Sequence, residues 1–393
     1  MGQQGEPSSR AVRPSPSPSS HFHTSIPLGG YDVSRLSQTP ARFDIAALTS
    51  AHYQIRAMAR IVASDAHMRY LITGITGFVG PHLANLLVGD GHEVHGFIRT
   101  SNGREDDIRD IVPDRVFNTL EFHFGDLIDY ESVARVLQEV PFDGIFHLAA
   151  QSHPPTSFLD PRGTFLTNAV GTMNVAEAIR AHRPACRLMF CSTSEVYGAP
   201  EESQGLIHEG FPLQPVNPYG VSKAAADFYV RERAVSEKMP FFVTRAFSHT
   251  GPRRGRRFSI ASDAYQIVRI QKGFQEPLIK VGTLSSKRVI MDVRDACRAY
   301  YLLMQRAAAG EAYNVGGDEL FTMGEILDLL LEITGLAGKV KKEVDPKLVR
   351  AIDIPVQICD TRKCRTLTGW KPEIPIRKTL VDLLDYYTHK IQA

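Results

Sequence analysis

The chain has 393 residues, more than one average domain needs but within what a single doubly wound body with an added lobe absorbs. With 45 basic against 43 acidic residues it carries a net charge of +2, which leaves no basic footprint for nucleic acid or an anionic membrane, and no apolar run approaches the roughly 20 residues that span a bilayer. Its five cysteines, Cys186, Cys191, Cys297, Cys359 and Cys364, form no CxxC pair and are odd in number, which argues against a disulfide framework and against a metal site and fits a reducing cytoplasmic setting.

Residues 1–67 differ in composition from the rest of the chain. The run SSRAVRPSPSPSS lacks the apolar density that offsets the entropy of ordering, so a disordered extension is expected. Within it, Ile45 to Val62 reads as an amphipathic helix with arginine on its polar side. A targeting segment, a plain disordered tail and a start assigned upstream of a native Met68 all fit.

From Met68 the pattern changes to MRYLITGITGFVG. Tyr70 to Thr73 is a strand, and Gly74, Gly77 and Gly80 remove side chains where a helix begins. Pro81 suits the first turn of that helix, which continues through Leu83, Leu86 and Leu87. A strand, tight turn and helix of this kind lets a pyrophosphate approach bare backbone at a helix N-terminus. The next strand, Glu93 to Ile98, ends in Arg99 rather than a carboxylate; a cation there accepts a 2′-phosphate, which favours NADP over NAD. The polar stretch Thr100 to Asp110 reads either as a wrap for the adenosine end or as a solvated loop.

Strands and helices then alternate. Leu120 to Phe124 reads as a strand running into Gly125 and Asp126, Glu131 to Glu139 as a helix, and Gly144 to Ala150 as an apolar strand ending in small residues that let a nicotinamide ribose approach the backbone. The alternation predicts an α/β fold, a Rossmann-type doubly wound parallel sheet, with chemistry at the carboxyl ends of its strands. Two segments meet that demand. The strand Arg187 to Cys191 leads into Ser192, Thr193, Ser194 and Glu195, and Asn217-Pro218-Tyr219 opens a helix that carries Lys223. Tyr219 and Lys223, four apart, share a helix face, and an ammonium near a phenol is expected to lower the phenol's pKa.

After the strand Phe241 to Ala246, the loop with Arg253, Arg254, Arg256 and Arg257 suits diphosphate recognition, with Arg288 the next candidate. The helices Met323 to Thr334 and Arg377 to Ile391 carry leucines at helical spacing and read as core, with Trp370 as a packing residue. Residues 68–245 are thus expected to be mainly the dinucleotide-binding domain with the catalytic residues, and 246–393 mainly a smaller α/β substrate lobe interleaved with it. No internal repeat is visible.

Taken together, the glycine turn, HLAAQSH at His147 to His153, STSEVYG at Ser192 to Gly198 and YGVSK at Tyr219 to Lys223 resemble the extended short-chain dehydrogenase/reductases, in their nucleotide-sugar branch. Within it the chain resembles GDP-mannose 4,6-dehydratases through Thr193-Ser194-Glu195 and PRRGxxF at Pro252 to Phe258. It also resembles GDP-4-dehydro-6-deoxymannose reductases through GTFLTN around Asn168, QEPLIKVG at Gln275 to Gly282, DVRD at Asp292 to Asp295 and TGWKPEIP at Thr368 to Pro375. Departures are Phe78-Val79 in the glycine turn, Ser248 before His249, and Val289 after Arg288.

The resemblance implies a catalytic set of Thr193, Glu195, Tyr219 and Lys223. It implies NADP held by Gly74, Thr76, Gly77, Phe78, Val79, Gly80, Arg99, Asp126, Leu127, Leu148, Ala149, Ala150, Tyr219 and Lys223. A GDP-sugar is implied at Ser152, Ser194, Ser248, His249, Arg253, Arg254 and Arg288. Dehydration of GDP-mannose is the expected reaction, on Thr193 and the PRRGxxF segment; reduction of the 4-keto-6-deoxy sugar, another nucleotide-sugar epimerase or dehydratase activity, and a non-catalytic NADP sensor are the alternatives. Relatives associate through the helices that carry the tyrosine and its predecessor, so a homodimer or homotetramer is expected, with Asn168 to Ile179 and Lys223 to Val235 at the interface and Ala224, Ala225 and Ala226 permitting close approach.

Overall fold

The computed structural model describes residues 67–99, 105–349, 352 and 354–391. The extension 1–66, with the expected helix 45–62, lies outside the described residues. Of the stretch 100–110, only Glu105–Asp110 is described, as a 3-10 turn.

Seven strands form the central sheet: β1 (Arg69–Thr73), β2 (Glu93–Arg99), β3 (Glu121–Gly125), β4 (Gly144–His147), β5 (Arg187–Thr193), β6 (Phe241–Ala246) and β7 (Ala312–Val315). Their order is β7-β6-β5-β4-β1-β2-β3, and every neighbouring pair is parallel. Successive side chains of a strand point to opposite faces, and both faces here are covered. That is why the inner strands read as unbroken apolar runs rather than as alternation. On one face Tyr70, Ile72, Phe146, Met189 and Phe242 pack under the helices α1 (Val79–Gly89) and α6 (Val293–Arg306). On the other, Leu71, Ile145, Leu188, Phe190 and Phe241 pack under α2 (Tyr130–Glu139), α3 (Gly171–His182) and α4 (Pro218–Ser236). The strand order reverses between β1 and β4, which opens the crevice where such sheets bind ligands.

A separate core is built from α5 (Ser259–Gln271), α7 (Met323–Ile333), α8 (Ile376–Lys390) and the strand Leu278–Val281. The chain beyond residue 245 serves both parts, because β7 and α6 return to the central sheet. Trp370 packs as expected: it is 2% exposed, and its indole N–H donates to the Asp295 carbonyl at 2.9 Å. Among the described residues no helix is long and apolar enough to cross a membrane.

One buried ion pair fixes α4 on the sheet. Arg245 in β6 and Asp227 in α4 are almost wholly enclosed, and Nε and Nη2 of the arginine meet the two carboxylate oxygens at 2.9 and 3.0 Å. A forked pair of this kind sets orientation as well as distance. Arg245 Nη1 also donates to the Tyr197 hydroxyl at 3.1 Å, so the turn after β5 is tied to the same point.

Candidate active site

The glycine turn is held by close backbone approach. Gly74 has φ +76°, and a Cβ there would meet the Ala149 backbone at 2.8 Å; one on Gly80 would meet Ile75 backbone at 2.5 Å. Neither position accepts a side chain, so β1 can pass close to the end of β4. Phe78, just before α1, offers no side-chain cap, and the first turn of that helix carries no acid. Its leading N–H groups are therefore directed at an anion site.

Turn, helix start and strand ends open onto one cleft of about 1320 Å³. That exceeds the 300–1,000 Å³ common for a single small ligand, and suits a dinucleotide together with a second nucleotide. Every residue expected at the cofactor lines it, from Gly74 through Arg99 and Ala150 to Lys223, as do Thr193, Glu195, Ser152, Ser194, Ser248, His249, Arg254 and Arg288. The cofactor is thus fitted by a side-chain-free turn, an uncapped helix start and an arginine at the end of β2.

Arg253 is the exception and is absent from the lining. Its backbone takes φ +70°, which turns the side chain away from that of Arg254. The guanidinium instead donates to the carbonyls of Thr76 at 3.1 Å, Asp107 at 3.2 Å and Gly77. Arg253 therefore braces the glycine turn rather than facing the substrate half of the cleft.

The catalytic candidates form a closed set of contacts. Asn217 caps α4 by accepting from the Gly220 N–H at 2.7 Å, and its amide nitrogen donates to Glu195 Oε2 at 2.8 Å. Thr193 Oγ1 accepts from the Glu195 N–H at 3.3 Å and shares a side-chain hydrogen bond with Tyr219. One asparagine therefore sets both the helix that presents the tyrosine and the direction of the carboxylate.

The electrostatics depart from the sequence expectation. Burial drives the Tyr219 hydroxyl well above its usual pKa, partly offset by the bond to Thr193 and the nearby Arg254 cation. The Lys223 ammonium sits 4.1 Å from the centre of the Phe190 ring, and burial lowers its own pKa to about 8. The shared helix face was correctly read, but in the unliganded protein desolvation outweighs the pairing. Arg254, stacked between Phe258 at 3.5 Å and Phe78 at 4.7 Å, is itself lowered to about 10 by burial.

Two lining residues, Gln357 and Asp263, escaped the sequence reading, and Asn168 had no site role in it. Gln357 binds Ser194 twice, accepting from its hydroxyl at 3.0 Å and donating to its carbonyl at 3.2 Å. Asp263 on α5 is 4% exposed, lines the cleft and has no hydrogen-bond or ionic partner among the described residues; burial alone raises its carboxyl to about 7. Asn168 lies in a π-helical turn (Leu166–Val170) and donates to Ser222 Oγ at 2.9 Å and to the Gln151 carbonyl at 3.0 Å, fixing the start of α4 against the cleft wall. Single π turns are frequent at functional sites. Only Asn168 had a sequence signal, the GTFLTN string; Gln357 and Asp263 come from segments with no motif.

A doubly wound sheet whose cleft gathers a glycine turn, a hydroxyl-rich strand end and a Tyr-x-x-x-Lys helix defines an extended short-chain dehydrogenase/reductase. Residues 71–383 match the model of the GDP-mannose 4,6 dehydratase family, and the chain belongs to it. It is 31% identical over 324 residues to the GDP-6-deoxy-D-mannose reductase of Pseudomonas aeruginosa, covering 82% of this chain and 98% of that protein. It is also 31% identical over 323 residues to GDP-mannose 4,6 dehydratase 1 of Arabidopsis thaliana, covering 80% and 88%. Among solved structures, RMD from Pseudomonas aeruginosa complexed with NADPH superposes with a TM-score of 0.71 at 30% identity, over 82% of this chain and all of that one.

Proposed function

We propose that this protein is an NADP-dependent GDP-mannose 4,6-dehydratase. The observation that carries the reading is the linked set Tyr219–Thr193–Glu195–Asn217 on the wall of a cleft large enough for both nucleotides. Arg99 takes the 2′-phosphate and the glycine turn the pyrophosphate; a bound nicotinamide supplies the acceptor for the C4 hydride and its later return to C6. Tyr219 removes the proton of the sugar 4-hydroxyl, which Thr193 orients. The resulting 4-ketone acidifies C5. Glu195, aimed by Asn217, takes the C5 proton and delivers a proton to the departing 6-hydroxyl, so that water leaves, and the proton held by Tyr219 goes to C5 as the hydride reaches C6. Arg254 and Arg288 meet the sugar diphosphate by charge-assisted bonds. Asp263 accepts from the adjacent N–H donors of guanine, a role that suits its lack of a protein partner. The five free cysteines suit a reducing compartment, and we place the enzyme in the cytoplasm.

We further propose a homodimer through α3 and α4. Of the three alanines expected there, Ala224 and Ala226 are buried within the chain itself, while Ala225 is half-buried. The outward face instead carries Val221, Phe228 and Val235, seven residues apart and 46%, 56% and 65% exposed, beside Phe165, Leu166 and Met173.

The reductase reading is favoured by one finding, the likeness along 98% of the Pseudomonas aeruginosa reductase. Mass spectrometry separates the two. Purified enzyme with GDP-mannose and catalytic NADP⁺ is expected to yield a product lighter by one water, and Glu195→Gln to oxidise C4 without eliminating. Unchanged GDP-mannose, together with stoichiometric NADPH oxidation on the 4-keto-6-deoxy sugar, reverses the assignment. Binding of NADP with no turnover of any nucleotide sugar leaves a sensor.

A further inference from the structure

We infer a binding site for a divalent transition metal, Zn²⁺ by the chemistry of its donors, at His95, Glu121 and His123 on the outer edge of the sheet. It lies apart from the cleft and rests on none of the functional assignment above. His95 in β2 and Glu121 in β3 are register partners, and His123 comes two residues later, so all three side chains leave the same face. Their three donor atoms lie within 4.8 Å of one another. His95 Nδ1 is 2.9 Å from His123 Nε2 and 3.5 Å from Glu121 Oε2. Bonds of about 2.1 Å to a tetrahedral Zn²⁺ put neighbouring donors about 3.4 Å apart, and these two spacings bracket that value.

The surroundings prepare His95 as a ligand. Glu93 accepts from its Nε2 at 2.7 Å and from Arg69 Nε at 2.5 Å. The imidazole proton therefore sits on Nε2, and Nδ1 presents a lone pair to the space shared with Glu121 and His123. This carboxylate–imidazole pair is the usual support of a metal-bound histidine. A lone pair and a carboxylate oxygen converging on one point repel unless a cation lies between them. A proton from His123 satisfies one of the two, whereas a metal satisfies both.

Two imidazoles and one carboxylate suit Zn²⁺ better than Mg²⁺ or Ca²⁺. The cysteine pattern argued against a metal site, but it does not bear on this one because no thiol takes part. The Phe142 ring lies edge-on to both histidines, at 5.1 and 6.2 Å, which suits a structural ion. It would staple β3, which has one neighbour in the sheet, to β2; the far ends of these strands pair Arg99 with Gly125 on the cofactor wall.

The test is Zn²⁺ titration of the untagged, chelator-stripped full chain by calorimetry, beside His123→Gln, Glu121→Gln and Glu93→Gln, with circular dichroism and NADP binding as controls of folding. The wild type is expected to bind one Zn²⁺ with a Kd below about 10 μM and to gain thermal stability from it, while Mg²⁺ gives neither. His123→Gln is expected to abolish this site, and Glu93→Gln to weaken it roughly 10- to 100-fold. Glu121 is 66% exposed, so its replacement leaves the fold intact and is expected to weaken binding at least about tenfold. Wild type without Zn²⁺ binding, or Glu121→Gln and His123→Gln with wild-type affinity, overturns the proposal.

Discussion

In the proposed reaction Tyr219 acts as a base, yet burial raises the pKa of its phenol in the structure. The hydrogen bond to Thr193 and the nearby Arg254 cation oppose that shift. Tyr219→Phe is expected to lower kcat roughly 10²- to 10⁴-fold while NADP affinity stays within a few-fold, by steady-state kinetics and by titration. Loss of both together would make the hydroxyl a structural group. Asp263 gives a prediction of opposite kind. Its folded-state pKa of about 7 lies above the ordinary aspartate value of 3.8, so the folded protein holds this proton more tightly than the unfolded chain. The stability this contributes is complete below about pH 4 and is lost as pH rises through 7, a cost on the order of 4 kcal/mol. Asp263→Asn is accordingly expected to raise Tm at pH 8 and change it little at pH 4, while weakening GDP binding. Equal Tm at both values would mean that the carboxyl is solvated through the cleft.

At the scale of elements, most of what positions the site was legible because it obeys local rules. The turn between β1 and α1 needs glycine at two crowded positions, and the strand ends follow from apolar runs stopping at small or hydroxyl residues. What the sequence hid were choices made by the surrounding fold. Arg253 and Arg254 read alike, but a left-handed backbone at the first sends one to the glycine turn and leaves the other in the cleft. Two of the three alanines of α4, Ala224 and Ala226, are buried within the chain, because their spacing alone does not say which side of the helix faces inward. Asp227 and Arg245 are ordinary charged residues eighteen apart in sequence until α4 folds back on β6. Removing one partner of such a pair strands a buried charge. Asp227→Asn is expected to cost about 3–5 kcal/mol in chemical denaturation. Arg245→Met combined with Asp227→Leu should cost much less, and equal losses in the two proteins would mean that packing, not the charge, holds α4.

For the whole molecule, α3 and α4 each bury one side in the central core, and their other sides carry large apolar groups in water. Seven-residue spacing of Val221, Phe228 and Val235 keeps these groups in one stripe along nearly four turns of helix, beside Met173 on α3. Stripes of this kind are seams between helices, and a second copy related by a two-fold axis would present the same stripe in return, giving four packed helices. A stable pair needs roughly 800 Å² from each copy, which two neighbouring helices of this length supply. Phe228 is more than half exposed, so Phe228→Glu leaves the core of the chain untouched and places two like charges across the seam. Light scattering at micromolar concentration is expected to give a dimer mass for the wild type and a monomer mass for Phe228→Glu, with unchanged circular dichroism. The helix that lines this seam also carries Tyr219 and Lys223 on its inner side, so the monomeric variant is further expected to lose turnover by a few-fold. A wild type that scatters as a monomer removes the interface altogether, and a variant that remains dimeric moves it to another face.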